Sequence, residues 1–359
     1  MKTPIAPGLA LAAALASLPA AAEVPPEGIS CAEGAEAPGA PASAKGVIRR
    51  SLTSFGTKVE LGVSGVACGV AEKAYEELYG IFDRLERLTD EVGEDSVIRR
   101  INEAAGKEPV EVSAELYALI ELALGFSEHT SGAFDPTFAA LSGLWRFDGD
   151  TSVVPSQADI DARVGLIDWR RVKLDEQKRS VFLEQEGMRL GLRGIVKGYA
   201  VDQAVNRLKD LGVQNFIIKT GGEIYVSGNP GGGYRKVGLP DPRAAKNYAL
   251  IDVRNRALNT SSDNERYFVR DGVRYHHIID PDTGRPASQC RSVSVISVDA
   301  TSADALSTAV FVMGPKEGLA LVERLAGVEA VIIDSENQVH LSSGLSERIV
   351  LGAPTPGSP

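Results

Sequence analysis

From Lys58 to Val66, Val59, Leu61 and Val63 alternate with Lys58, Glu60 and Gly62, the two-residue period of a strand with one buried face. The period then changes. Over Ala71 to Thr89 the apolar residues Ala74, Leu78, Ile81, Phe82 and Leu85 recur three and four apart, which predicts an amphipathic helix. A second helix is predicted over Ser113 to Ser127, with Ser113 as N-cap and Leu116, Leu119, Ile120 and Ala123 on one face. A third covers Lys197 to Leu211 and closes at Gly212, where glycine tolerates the left-handed turn that ends helices. Strands follow at Asn215 to Thr220, Tyr225 to Ser227, Arg291 to Val298 and Ala330 to Asp334, with a helix over Ser302 to Met313 stopped by Gly314. Strands and helices mixed without a regular βαβ cadence predict an α+β fold of largely antiparallel sheets with helices packed on them.

The two ends depart from this patterning. Lys2, the small and apolar run Ile5 to Leu18, and Ala20-Ala21-Ala22 before Glu23 have the order of a secretory signal, so residues 1–22 are expected to direct export. The run is too short to span a membrane. Residues 23–45, rich in Pro, Ala, Gly and Glu, have the composition of a flexible linker, and 352–359 of a disordered tail. Residues 46–351 carry no repeat and no second low-complexity break, which favours one domain of two lobes.

At 359 residues, 43% hydrophobic and 24% charged, the chain can bury a sizeable core. Its formal charge of −10, with basic residues scattered, argues against nucleic-acid binding. Cys31, Cys68 and Cys290 are too few for a disulfide framework and match no zinc spacing, leaving room for one disulfide in an oxidising compartment. Cys31 lies well past the apolar run, which argues against a lipid anchor there and for a soluble periplasmic protein.

Four segments hold polar and glycine residues that packing alone does not require. Ser131-Gly-Ala-Phe-Asp-Pro-Thr137 forms a turn between apolar stretches, and Asp135 before Pro136 would by itself only start that turn. Gly194-Ile-Val-Lys-Gly-Tyr-Ala-Val-Asp202 sets Lys197 at a helix start, where backbone N–H groups and a positive charge can cradle a diphosphate. Neither the P-loop nor the dinucleotide-fingerprint spacing is present. Lys219-Thr-Gly-Gly-Glu-Ile224 puts two glycines between strands, the mark of a bulge or a close backbone approach. The fourth runs from Asn259-Thr-Ser-Ser-Asp263 through Tyr275-His-His-Ile-Ile-Asp-Pro-Asp-Thr-Gly284 to the helix bearing Asp304 and Thr308.

Asp304 and Thr308, four apart, face one way along a helix, and an oxygen-only pair of this kind suits Mg²⁺; a helix-start aspartate and a buried hydroxyl are the bland alternative. Of the adjacent His276 and His277, opposite strand faces admit at most one to a site, where imidazole is suited to taking a proton near neutral pH.

In their order GAFDPT, GIVKGYAVD, TGGEI, NTSSD with HHIIDPDTG, and ADALSTAVFVMG, these blocks resemble the ApbE family, the FAD:protein FMN transferases, from about Ser51 to Leu351. The resemblance implies a bilobed, T-fold-like α+β architecture with FAD in the cleft between the lobes. It implies Mg²⁺ on the pyrophosphate, and transfer of FMN to a Ser or Thr of a target flavoprotein with release of AMP. Family targets include subunits of membrane electron-transport complexes. Carried over by position, Asp304, Thr308 and the backbone carbonyl of Gly194 would hold the metal, His277 would be the base, and Ala133, Phe134, Asp135, Lys197 and Ile279 would contact FAD.

Four positions depart from the family pattern: Gly191 replaces a common aspartate, Val92 a common aromatic residue, Phe55 the usual methionine before Gly56, and Arg235 a frequent tryptophan. Two rival functions use the same residues differently. A Mg²⁺-dependent FAD pyrophosphatase would deliver the phosphate bond to water, and a flavin-binding protein without turnover would be indifferent to loss of Asp304 or His277.

Overall fold

The computed structural model describes residues 47–147, 152–229 and 231–355. The signal and linker expected over 1–45, with Cys31, lie outside the described residues, as do the last four residues of the expected tail. Among the described residues the α-helices are α1 (Cys68–Leu88), α2 (Val97–Glu103), α3 (Ala114–His129), α4 (Gln157–Val164), α5 (Val196–Asp210) and α6 (Ala300–Val322).

The helical periods translate directly into burial. In α1, Ala71, Ala74, Leu78, Phe82 and Leu85 are buried as one stripe. Helix α3 starts at Ser113, whose side chain accepts the Leu116 N–H. In α6 the expected stop at Gly314 is real: this residue has φ 78°, outside helical space, and Pro315 begins a further helical run to Val322. The N-cap of α6 is Asp299, which accepts the Ser302 N–H, so Asp304 sits in the second turn and not at the helix start.

The helices pack on an eight-stranded sheet in which every neighbouring pair is antiparallel. Its order is Val47–Ser54, Thr57–Ser64, Asn215–Thr220, Glu223–Ser227, Arg256–Ser262, Cys290–Ser297, Glu329–Asp334 and Val339–Leu341. The fold is the expected α+β type. The first two strands join through Phe55-Gly56, both with positive φ (51° and 70°), the two-residue turn whose twist matches a hairpin.

Both faces of the sheet are covered. Successive residues of one strand enter different cores: Ala330 and Ile332 face the helices, while Val331 and Ile333 face a second apolar cluster. A three-stranded sheet of Arg235–Pro240, Asn247–Val253 and Ile349–Leu351 supplies that second cluster with Val237, Leu239, Ile251 and Val253. The tail expected to be disordered from Gly352 is tied to this sheet as far as Thr355. Gly352 N–H donates to Tyr248 O, and the Thr355 N–H and hydroxyl donate to the Asp241 carboxylate at 2.8 Å each. Cys68 is disulfide-bonded, whereas Cys290 is free and buried.

Helices α5 and α6 come into close contact at Gly198, where a Cβ would stand 2.4 Å from the backbone oxygen of Ala300. Asp202 of α5 fastens the crossing. Its carboxylate accepts the N–H groups of Ala300 and Thr301 at 2.8 and 2.9 Å and the Thr301 hydroxyl at 2.6 Å. This crossing aligns the start of α5 with the second turn of α6.

Candidate active site

Helix α5 places Lys197 and Gly198 beside Asp304 of α6. Asp304 Oδ2 accepts the Gly198 N–H at 3.1 Å, its Oδ1 accepts Asn259 Nδ2 at 2.8 Å, and Lys197 Nζ stands 3.7 Å from Oδ1. Asp304 is removed from water and Lys197 is half-buried, and each answers to the other. Desolvation pushes the Asp304 carboxyl up while Lys197 and its two N–H donors pull it down; the Asp304 charge raises the Lys197 ammonium. Thr308 lies one turn further along α6, half-buried, and Ser307 donates back to Asp304 O and hydrogen-bonds Ser261.

The glycine pair of the third segment makes a close approach. A Cβ on Gly222 would meet Thr260 O at 2.4 Å and come within 3.3 Å of Asn259 Oδ1 and 3.4 Å of Glu265 Oε1. The next residue, Glu223, is fully buried with neither carboxylate oxygen hydrogen-bonded. Burial first, and then the nearby Asp304 charge, push its carboxyl well above the usual range.

The two histidines divide as the strand geometry requires. His276 is buried in a structural role: Nε2 bonds Ala287 O at 2.8 Å, Nδ1 accepts the Ile278 N–H, and the ring meets Phe311 edge-on. His277 faces the other way. Its Nε2 lies 3.8 Å from Glu265 Oε2 and its Nδ1 is buried without a partner. Burial, Arg266 and His276 lower its pKa to about 3, so the ring is neutral in the free protein. Glu265 also senses Lys197 and Asp304, which places His277 in the same electrostatic cluster.

The flanking motifs support this cluster. Phe134 packs against Gly194, where a Cβ would meet its ring at 3.0 Å, so the first and second segments touch just before α5. Asp135 does not bring its carboxylate into the cluster. One oxygen accepts the Thr137 N–H and hydroxyl at 2.7 and 2.6 Å, the other the Trp169 N–H at 3.0 Å. It caps the short helical turn after it, as the bland reading of an aspartate before proline predicts. Asp280 likewise organises its own turn, accepting from Asp282 N–H and the Thr283 hydroxyl, and so sets the chain that carries His277 and Ile279. At Gly191 the space of a missing side chain is filled from elsewhere: Glu91 Oε1 lies 3.1 Å from where a Cβ would be, paired with Arg193.

Sequence reasoning assigned no role to Glu223, Asn259, Glu265 or Asp202. Glu223 and Asn259 stood within quoted motifs, and a charged or amide residue in a strand destined for burial was the available signal. Asp202 closed the GIVKGYAVD motif, and Glu265 alone of the four lay outside any motif.

All donors proposed for a cation are oxygens: the Asp304 carboxylate, the Thr308 hydroxyl and the Gly194 carbonyl. Among the described residues no group of three or more His, Cys, Asp or Glu side chains is arranged to hold a metal. A set with one carboxylate falls outside such groupings and agrees with the Mg²⁺ habit of one or two carboxylates plus substrate phosphates. The buried Glu223 carboxyl near Asp304 has no hydrogen-bond partner, and a cation beside it would favour its ionised form, so the residues fit the ion.

The chain is similar to known proteins over most of its length. The ApbE family model matches residues 55–332. An FAD:protein FMN transferase of Treponema pallidum is 36% identical over 293 residues, covering 77% of this chain and 81% of that protein. One of Klebsiella pneumoniae is 34% identical over 275 residues, covering 76% and 85%. Among solved structures, the ApbE protein of Thermotoga maritima aligns with TM-score 0.78 at 34% identity, covering 84% of this chain and 99% of that one. The apo flavinyl transferase ApbE of Pseudomonas stutzeri aligns with TM-score 0.74 at 29% identity, covering 84% and 96%.

Proposed function

Because the chain belongs to the ApbE family, we propose that it is a transferase that moves FMN from FAD to a Ser or Thr hydroxyl of a target protein, with Mg²⁺ and with release of AMP. The observation that carries this reading is a neutral imidazole at His277, its Nδ1 buried without a partner, in one cluster with the Lys197–Asp304 pair at the start of α5. Named activities of the Treponema and Klebsiella relatives support the same reaction.

The chemistry asks little of the protein beyond charge and position. The acceptor oxygen bonds to the phosphorus on the FMN side, the bond to the bridging oxygen breaks, and AMP leaves with that oxygen. The α5 N-terminus and Lys197 offer N–H groups and a positive charge to the diphosphate. Mg²⁺, held by Asp304, Thr308 and the Gly194 carbonyl, would neutralise negative charge on the diphosphate. His277 takes the proton of the hydroxyl. Its resting pKa of about 3 keeps it unprotonated, and a dianionic diphosphate brought close raises its basicity by favouring the imidazolium. Ala133, Phe134 and Ile279 frame the flavin in this reading, Asp135 doing so through backbone since its carboxylate is engaged. The acceptor supplies the nucleophile, so no activated Ser or Cys of this chain is needed.

We place the reaction in the periplasm, on a flavoprotein subunit, on the strength of the leader-like order of residues 1–22. The test is incubation with FAD and Mg²⁺, with and without a candidate acceptor, read by intact mass. Covalent FMN on the acceptor, absent with His277→Gln, is expected. Release of free FMN and AMP with an unmodified acceptor in every case would replace transfer by hydrolysis.

A further inference from the structure

An imidazole that takes a proton at His277 needs a counter-charge. The charged and titratable groups around the ring include Arg266, His276 and Lys197, and each of these disfavours a positive imidazole. Glu265 has the opposite sign. Its Oε2 lies 3.8 Å from His277 Nε2, and among the described residues no other carboxylate stands within ion-pair distance of that ring.

Main chain puts the carboxylate there from two sides. The hairpin Tyr267–Arg270 and Val273–His276 pairs Tyr267 with His276, and the His277 N–H extends the pairing by donating to Arg266 O at 3.1 Å. The residue before Arg266 is thereby held close to the ring. From the other side, Glu265 Oε1 lies 3.4 Å from where a Cβ of Gly222 would stand, so the carboxylate rests against backbone that no side chain covers. The glycine pair of Lys219-Thr-Gly-Gly-Glu-Ile224 is in this way joined to His277 through Glu265.

In the resting protein the pair is loose. At 3.8 Å the two atoms are too far apart for a hydrogen bond, and a neutral ring gains little from a carboxylate. A charged ring gains much more, and an interaction that strengthens only as the proton moves lowers the barrier without tightening the ground state. An ionised carboxylate can only accept, so the nitrogen that faces it, Nε2, is the one that carries hydrogen in the neutral ring. Nδ1, which has no partner in the protein, keeps the lone pair. Burial raises the Glu265 carboxyl, opposed by Lys197, by Arg266 and by the 47% of its side-chain surface that stays in water.

Resting on the transferase reading, we propose that Glu265 is the positioning residue of His277: it orients the imidazole through Nε2–H, leaves Nδ1 to take the proton of the acceptor hydroxyl, and balances the positive charge the ring then carries. The proton passes from the hydroxyl oxygen to Nδ1 as that oxygen bonds phosphorus, and Nε2 keeps its own.

The test begins without substrate. In protein carrying ¹⁵N-labelled histidine, the ring signals of the four histidines are recorded at pH 7.5, and those of His277 are identified by their loss in His277→Gln. An Nε2–H tautomer is expected in the parent and a mixture of tautomers in Glu265→Ala. An Nδ1–H tautomer in the parent, or His277 signals that Glu265→Ala leaves unmoved, overturns the proposal. Transfer of FMN from FAD to an acceptor is then followed against pH. Glu265→Gln should lower kcat about tenfold with KM for FAD unchanged. It should also move the acid limb of the kcat profile down by about one pH unit, the low end for an opposite charge roughly 4–6 Å away because Glu265 is half in water. Glu265→Asp should recover part of both. A fall in kcat with the limb in place, or a change in KM alone, makes Glu265 a structural residue and overturns the proposal. The two readings fail separately: an acceptor left unlabelled by every protein, parent included, removes the transferase reading, while the tautomer measurement needs neither FAD nor acceptor and decides the Glu265–His277 pairing by itself.

Discussion

Gly198→Ala isolates the contact on which the site's alignment depends. The added Cβ would lie 2.4 Å from Ala300 O and 2.8 Å from Thr301 Cα, both backbone, so no side-chain rotation relieves it. Restoring an ordinary contact of 3.4 Å requires α5 and α6 to part by about 1 Å at their crossing. Overpacking of this kind costs about 1–3 kcal/mol, partly offset by the gain of about 0.5–1 kcal/mol that alanine brings to a helix interior. With roughly 2–4 °C of Tm per kcal/mol in a domain this large, the midpoint should fall by a few degrees. Activity should fall further. The Gly198 N–H to Asp304 bond, already 3.1 Å, and the Lys197–Asp304 pair both span the gap that opens. A displacement of about 1 Å at reacting groups can cost on the order of 10²-fold. Thermal unfolding and acceptor labelling by intact mass are measured together, with Gly80→Ala as control, because a Cβ there meets nothing within 4 Å and should be neutral or stabilising. If Gly198→Ala unfolds within a degree of the parent and keeps most of its labelling rate, the alignment argument is wrong.

Two further outcomes follow from the same cluster. Mg²⁺ at ten times its Kd should stabilise the protein by about 1.4 kcal/mol, seen as a rise in Tm, and Asp304→Asn should remove that rise; a shift that survives the substitution would move the cation elsewhere. His277, with a folded pKa of about 3 against an ordinary 6.5, binds fewer protons folded than unfolded across that window. Its contribution to stability is therefore present above pH 6.5 and is lost as pH falls toward 3. Urea midpoints at pH 7.5 and 4.5 should show a smaller acid loss in His277→Gln than in the parent, an equal loss refuting the buried neutral ring. Asp202, raised to about 6 by burial and Asp299, acts in the opposite sense in both proteins and cancels in the comparison.

Local rules carried the sequence a long way because several elements obey them strongly. The stripe of α1, the Ser113 cap, the Gly212 and Gly314 stops and the strand Asn215–Thr220 all depend on neighbours within a few residues. The central strand Arg256–Ser262 escaped because its Asn, Thr and Ser residues carry no apolar alternation, although most of it is buried. It earns its place in the sheet by pairing with two strands and by hydrogen bonds from Asn259, Thr260 and Ser261. The three-stranded sheet behind it was missed for a related reason: its strands are short, and their apolar positions acquire meaning only against Val331 and Ile333.

Sequence alone was sufficient for the α+β class, most helix ends, the family resemblance and the choice of Lys197, Asp304 and one of two histidines as chemically notable. The resemblance had already named His277 of the two; tertiary structure decided that His276 is held by Ala287 O, that Asp135 and Asp280 serve their own turns, and that Glu223, Asn259 and Glu265 surround Asp304. It also brought Arg243, Arg274, Arg285 and Arg291 together around one cleft. The physical reason is range: caps and periodicities are written within one or two turns of chain, whereas burial, desolvation and charge pairing depend on residues as far apart as Lys197 and Asp304, which meet only when α5 crosses α6.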